Sequence, residues 1–232
     1  MNALVVIPTY NERDNLPPLL EGILAHQGVR ALVVDDNSPD GTGRVADQLA
    51  RERPGRIDVR HRTARRGFGR SLLEGLSRAV LSDVELVFQM DADLSHDPKY
   101  LSDLAAAAQH ADLVIGSRYL RGVSVVNWPV RRIILSAFAN RYVRTVTRLQ
   151  VHDCTSGYRC WRRDALARLP LARIGSEGYS FLVEMLYLAQ RAGCRIVESP
   201  IIFVERRQGD SKMSPRVMLE SALTPWRLVL RR

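Results

Sequence analysis

Met90-Asp91-Ala92-Asp93-Leu94-Ser95-His96-Asp97-Pro98 joins a run that reads as a buried strand, Val84-Glu85-Leu86-Val87-Phe88-Gln89, to one that reads as a helix, Lys99-Tyr100-Leu101-Ser102-Asp103-Leu104. Two carboxylates one residue apart are thereby placed at the carboxyl end of a strand, where ligands bind in open α/β sheets. A pair of carboxylates completed by substrate phosphates and water suits Mg²⁺ or Mn²⁺, because these hard cations prefer oxygen and keep part of their hydration. Asp-x-Asp alone is more often an ordinary solvated strand-end turn, here with Pro98 opening the next helix. Its surroundings decide.

Working toward the amino terminus, the same order of strand, polar turn and helix recurs. Ala3-Leu4-Val5-Val6-Ile7-Pro8 is a continuous apolar run, as expected of a strand buried on both faces. It leads through Thr9 to Asn15 into a helix with Leu16, Leu19, Leu20, Ile23 and Leu24 on one side. Ala31-Leu32-Val33-Val34 leads through Asp35-Asp36-Asn37-Ser38-Pro39-Asp40-Gly41-Thr42 to a helix over about 43–51, a third strand is expected at 57–60, and Gly67-Phe68-Gly69 opens a helix carrying Leu72, Leu73, Leu76 and Val80. Serial β-α-β predicts an α/β fold with a mostly parallel central sheet flanked by helices. Its strands end in Tyr10 and Glu12, in Asp35 and Asp36, and in Asp91 and Asp93, so three acidic strand ends converge on one crevice. Asp35 to Gly41 is also strong turn chemistry, and both readings hold there. Gly67-x-Gly69 has the form of a phosphate-cradling loop, though glycines at a helix start are common.

Toward the carboxyl terminus, Leu113-Val114-Ile115 is a short strand whose end carries Arg118, a guanidinium that either pairs with the acids or binds an anion beside them. A helix is expected over 128–149, with Asn127 as cap, one side bearing Ile134, Phe138, Tyr142, Val146 and Leu149, and an adjacent stripe of Arg141, Arg144 and Arg148. That pattern suits a membrane interface and a core-packing helix equally. Thr155 to Trp161 reads as a loop or short strand, 181–191 as a helix, and 195–204 as a bent strand or strand pair whose Pro200 argues for an edge. A polar loop follows over 205–214, then amphipathic, basic segments at 215–223 and 225–232.

At 232 residues the chain fits one α/β domain, here 1–214, with 215–232 as an amphipathic tail. The net charge of +9 suits phosphates, nucleic acid or an anionic membrane surface. Nucleic acid is disfavoured, since the basic residues are not interleaved with stacking aromatics and the acidic strand ends would repel phosphates without a metal. Cys154, Cys160 and Cys194 lack the spacing of a zinc site or a disulfide framework and read as packing residues of a reducing compartment. No apolar run reaches the length of a membrane span, and the first residues are strand-like rather than a signal peptide.

Taken in order, Val6 to Glu12, Val34 to Thr42, Met90 to His96, Gly116 to Tyr119, Ser156 to Arg159 and Arg206 to Lys212 resemble the family 2 glycosyltransferases, and within them the branch of dolichol-phosphate (polyprenol-phosphate) mannose synthases. The resemblance covers nearly the whole chain and implies a GT-A fold and an inverting mannosyltransferase that uses GDP-mannose and a polyprenyl phosphate. It implies that Pro8, Tyr10, Glu12, Val34 and Asp36 hold the guanosine half and that Asp91, Ala92 and Asp93 hold the diphosphate through Mg²⁺ or Mn²⁺. Arg206 and Lys212 would close on the diphosphate, and Arg118, Arg132 and Ser136 would receive the acceptor phosphate. Some relatives carry Gln where Ser95 stands and use it in the metal shell; the shorter serine leaves that place to water. The resemblance further implies a peripheral protein at the cytoplasmic face of the membrane, held there by its basic amphipathic segments, by an integral-membrane partner, or by a part of the natural chain beyond this sequence. The competing readings are a same-fold transferase with another donor such as UDP-glucose, or with a sugar hydroxyl as acceptor, and more remotely a basic nucleic-acid-binding module.

Overall fold

A computed structural model describes residues 1–63, 66–205 and 215–230, the last segment with side chains from 220 onward. The chain runs β1 (Ala3–Thr9), α1 (Leu16–Leu24), β2 (Val29–Asp35), α2 (Thr42–Glu52), β3 (Ile57–His61), α3 (Phe68–Val80), β4 (Leu86–Gln89), α4 (Leu101–Ala107), β5 (Leu113–Ser117), β6 (Val125–Val126), α5 (Val130–Thr147), β7 (Arg159–Arg162), α6 (Arg163–Ala167), α7 (Gly178–Arg191), β8 (Ile196–Pro200), β9 (Phe203–Val204) and α8 (Pro215–Leu230). The described residues form a seven-stranded sheet in the order β3-β2-β1-β4-β7-β5-β8, and β6 pairs with β9 in a separate two-stranded ribbon. Every pairing in the large sheet is parallel except the two made by β7, which runs antiparallel between β4 and β5.

Both faces of the sheet are covered, which is why β1 and β2 are apolar at successive positions rather than at alternate ones. Val6, Val34, Val87 and Ile115 pack with Leu72 and Leu76 of α3 and Phe181 and Met185 of α7. Val5, Val33, Phe88 and Val114 pack on the other face with Leu19, Leu20 and Ile23 of α1 and Leu101 and Leu104 of α4. Gly75 brings α3 close to β1 and β2, for a Cβ there would collide with Val6 and Val34.

Four segments depart from the reading of the sequence. Residues 159–162 take the strand alternative of the loop-or-strand reading but lie at the heart of the sheet, a place the sequence does not show because Arg159 interrupts the apolar run with a guanidinium that is itself fully buried. In α5 the inward face is Asn140, Val143 and Thr147, whereas Ile134 and Phe138 of the expected apolar stripe are 64% and 66% exposed, alongside exposed Val130 and Leu135. Asn127 does not cap that helix: it takes a left-handed φ of 64° and Pro129 is the capping residue. The two amphipathic C-terminal segments are one helix running through Pro225, packed on α5 and α7 with Thr224 and Leu228 buried and Leu223, Trp226, Val229 and Leu230 exposed. The three cysteines are buried free thiols, as expected. Among the described residues no helix is long and apolar enough to cross a membrane.

Candidate active site

Because β1, β2, β4 and β5 share one direction, Tyr10, Asp36, Asp91 and Arg118 all lie at the same edge of the sheet, each within two residues of its strand's carboxyl end. Three of these ends carry a non-glycine residue with positive φ, namely Asn11 at 60°, Asn37 at 57° and Leu94 at 62°. Asn tolerates that conformation; a leucine in it is strained, and such strain collects at functional sites where the surroundings enforce it.

The turn holding Leu94 is enforced by its own side chains. Asp93 Oδ1 accepts from the Ser95 amide at 3.1 Å and from the Ser95 hydroxyl at 2.5 Å. Ser95 is thus buried and fixes the direction of Asp93, which is the structural answer to a serine at this position. His96, also buried, accepts the Asp91 amide proton on Nδ1 at 3.0 Å, which assigns its other proton to Nε2. Burial pushes the His96 pKa down to about 4, so the ring is neutral and keeps that acceptor. It stacks on Tyr158, with centroids 5.0 Å apart, and meets the edge of Phe203 at 5.4 Å. Asp91 stays about one third exposed at the crevice. Gly157 lies against it, at ordinary contact distance for a Cβ.

At the second strand end, turn chemistry and site separate residue by residue. Asp35 accepts from the Ser38 hydroxyl and amide, and Asp40 from the Thr42 amide and hydroxyl, so these two acids build the turn. Asp36 instead pairs with buried Arg62 and accepts the Gly67 amide at 2.7 Å. Arg62 also reaches Glu74 at 2.9 Å. Tyr10 accepts from Arg66 Nη1 at 2.6 Å, with that guanidinium 4.7 Å above its ring. Glu12 accepts from the Asn15 side chain at 2.8 Å. Val34 is buried beneath them, and Pro8, in β1, pairs with it in register. The glycines of Gly67-x-Gly69 have a packing reason: a Cβ at Gly67 would come within 2.5 Å of the Glu177 carboxylate, and one at Gly69 within 2.9 Å of the Ser176 carbonyl.

Arg118 is matched not to Asp91 or Asp93 but to Asp153. The carboxylate of Asp153 accepts from Arg118 Nε and Nη2, both at 2.7 Å, and from the Arg118 amide at 3.1 Å, while Nη2 also donates to Thr155 Oγ1 at 2.8 Å. Burial opposes both charges, yet the pair overcomes it, raising the Arg118 pKa and lowering that of Asp153. The loop bearing Asp153 is held from two sides. Glu198 accepts the His152 and Asp153 amides, and Arg159 donates to the Cys154 and Ser156 carbonyls at 3.1 and 3.0 Å. Because β7 runs antiparallel, this loop enters the sheet at the ligand edge and touches Arg118 at one end and Asp91 at the other. Arg132 and Ser136 lie on α5. Arg132 pairs with Glu205 and stacks 4.0 Å over Trp128; the Ser136 hydroxyl accepts from Tyr119 at 2.7 Å. Arg206 and Lys212 lie outside the described residues. Asp153, His96, Arg62, Arg66 and Glu205 were not singled out from the sequence. Only the need of Arg118 for a counter-ion pointed toward one of them.

Solved structures that superpose on the chain include glucosyl-3-phosphoglycerate synthase from Mycobacterium tuberculosis in complex with Mn²⁺, uridine-diphosphate-glucose and phosphoglyceric acid, with TM-score 0.68 and 18% identity over 97% of this chain and 79% of that one. Another is S. aureus TarS, with TM-score 0.60 and 20% identity over 100% of this chain and 66% of that one. The fold is therefore GT-A, with a mostly parallel sheet whose carboxyl edge bears the Asp-x-Asp pair. The family model for Glycosyl transferase family 2 matches residues 4–169, and the chain belongs to that family. Its curated relatives include polyprenol monophosphomannose synthase of Mycolicibacterium smegmatis, 47% identical over 215 residues that span 91% of this chain and 81% of the relative. Undecaprenyl-phosphate mannosyltransferase of Micrococcus luteus is 43% identical over 234 residues, spanning 100% and 96%.

Proposed function

We propose that this chain transfers mannose from GDP-mannose to a polyprenyl phosphate with inversion, giving a β-linked polyprenyl mannosyl phosphate and GDP. The observation that carries the reading is the 153–157 loop, which sets a fixed cation, Arg118, at the same strand edge as the Asp91/Asp93 pair. A guanidinium and a carboxylate pair able to take a divalent ion, bridged by one short loop, suit a phosphate acceptor facing a diphosphate donor. The names of the two curated relatives support the mannosyl and polyprenyl-phosphate halves of the proposal.

In this reading Pro8, Tyr10, Glu12, Val34 and Asp36 border the guanosine half, Asp36 together with the Arg62 it holds. Asp91, Ala92 and Asp93 face the diphosphate, joined by Arg206 and Lys212. The donor set fits Mg²⁺ or Mn²⁺. The neighbouring His96 spends its Nδ1 on the Asp91 amide, and among the described residues no three His, Cys, Asp or Glu side chains are grouped so as to hold a metal ion by themselves, so phosphate and water would complete the shell, as these ions prefer. A divalent ion held there would neutralise charge on the departing diphosphate.

Arg118, Arg132 and Ser136 orient the acceptor. A phosphate monoester has its second pKa near about 6 and arrives as an anion, so its oxygen attacks without a protein base removing a proton. As that oxygen bonds to the anomeric carbon, the bond to the β-phosphate oxygen breaks and its electron pair leaves with GDP. The acceptor's hydrocarbon tail stays in the bilayer, so the crevice faces the cytoplasmic headgroups. Exposed Val130, Ile134, Leu135 and Phe138 of α5, with Trp226 of α8, form the surface turned toward the membrane. Incubation with GDP-mannose, Mn²⁺ and a short polyprenyl phosphate, followed by NMR of the product, tests the proposal. A β-linked mannosyl phosphate is expected; an α-linked product, or none, contradicts it.

A further inference from the structure

The two arginines assigned to the acceptor have counter-ions of opposite character. Asp153 is fully buried and takes three hydrogen bonds from Arg118, so removing it would strand a buried charge. Arg132 and Glu205 meet through one contact, Nη1 to Oε2, with side chains 33% and 23% exposed. The backbone of Glu205 is tied in place: its amide donates to the Val126 carbonyl at 3.1 Å, and β9 before it pairs with β6. Its carboxylate can therefore leave Arg132 by side-chain rotation alone, while Arg132 remains stacked on Trp128.

We infer that Glu205 is a placeholder for the acceptor phosphate, holding Arg132 in the empty protein and giving it up when a phosphate monoester arrives. This rests on the reading of Arg132 as an acceptor residue. A carboxylate brings one charge and two oxygens; a phosphate monoester brings about 1.5 to 2 charges and three oxygens, and so displaces it. A phosphodiester headgroup carries a single charge and competes less well. Glu205 thereby lowers the affinity of Arg132 for every anion by one common factor, enough to leave the weakly bound phosphodiester headgroups of the surrounding lipid off it while the monoester still displaces the carboxylate.

Kinetics in detergent at saturating GDP-mannose test this with E205Q, R132Q and the double variant, varying a short polyprenyl phosphate with and without dispersed phosphatidylserine. E205Q is expected to lower the acceptor KM by about two- to fivefold at unchanged kcat, the worth of one partly exposed ion pair. It is also expected to make phosphatidylserine a stronger competitor, and both effects should vanish in the R132Q background. A raised or unchanged KM in E205Q, with R132Q still weakening acceptor use, overturns the inference while leaving Arg132 in its role. An equal fall in KM with and without Arg132 reduces Glu205 to a general charge effect and overturns it too. If R132Q leaves the acceptor KM unchanged, the assignment of Arg132 fails and takes the inference with it.

Discussion

Arg118 and Asp153, 35 residues apart, meet at the edge of the sheet in a two-pronged ion pair, Nε and Nη2 each 2.7 Å from a different oxygen of the same carboxylate. The pair fixes Arg118 before any ligand is present. Asp153→Ala would leave a buried guanidinium without its partner, a loss of about 3–5 kcal/mol. Urea unfolding measures it. Thr155→Val, which removes one hydroxyl acceptor, should cost about 1 kcal/mol. Near-equal effects would mean that Arg118 does not depend on Asp153.

Asp93 and Asp97 sit four residues apart with different partners. Asp97 Oδ1 accepts the Lys99 amide at 3.0 Å and caps the turn before α4, so Asp97→Ala should cost about 0.5–2 kcal/mol of stability and leave turnover in place. Asp93→Ala should abolish metal-dependent turnover and, by taking the acceptor from the Ser95 amide and hydroxyl, also cost about 1–3 kcal/mol of stability. Rates and melting curves of the two variants, side by side, check the contrast; equal losses of activity would misplace the metal-binding pair.

His96 acts through the backbone. His96→Phe retains a ring against Tyr158 but leaves the Asp91 amide without its acceptor, a penalty of about 1–3 kcal/mol that falls on the Asp91 turn. Mn²⁺-dependent GDP affinity should drop by about tenfold or more. Unchanged affinity in a titration would show that the turn keeps its shape without the imidazole.

The parallel half of the fold was legible because strands buried on both faces write continuous apolar runs, and the strand-end acids follow them directly. What stayed hidden was carried by contacts between distant segments. Arg159 looks like a break in a strand, because sequence alone does not show that two backbone carbonyls accept from Nε and Nη2 of its buried guanidinium. Its burial lowers the pKa to about 10, and Nη1 has no partner among the described residues. Arg118 was visible as a cation in need of an acid, but the acids that the strand ends offered it were Asp91 and Asp93. Only the antiparallel turn into β7 delivers Asp153 instead. In α5 the period of 3.6 gave a helix, yet the side that packs inward carries Asn140 and Thr147, so of the apolar stripe only its C-terminal end, Tyr142 and Leu149, joins the core while Ile134 and Phe138 stay outside it.

That exposed stripe has a direct consequence. Co-sedimentation with anionic vesicles should be strong at low salt and weaker at high salt, because each basic residue near the surface contributes about 1 kcal/mol, screened within a Debye length of roughly 8 Å. Arg141, Arg144 and Arg148 changed together to Gln should reduce it, and so should Phe138→Ser, without loss of stability because Phe138 is exposed. No binding at low salt, with transfer intact in detergent, would assign membrane recruitment to an integral-membrane partner.

A panel of labelled nucleotide sugars distinguishes the proposed pairing of donor and acceptor from its rivals. The purified chain is incubated with labelled GDP-mannose, GDP-glucose, UDP-glucose or UDP-galactose, each with a short polyprenyl phosphate and Mn²⁺, and the organic phase is counted. Label is expected in the organic phase from GDP-mannose alone, lost on adding EDTA and lost with Asp93→Ala. Label carried over from UDP-glucose in preference to GDP-mannose, or transfer that survives EDTA, would contradict it.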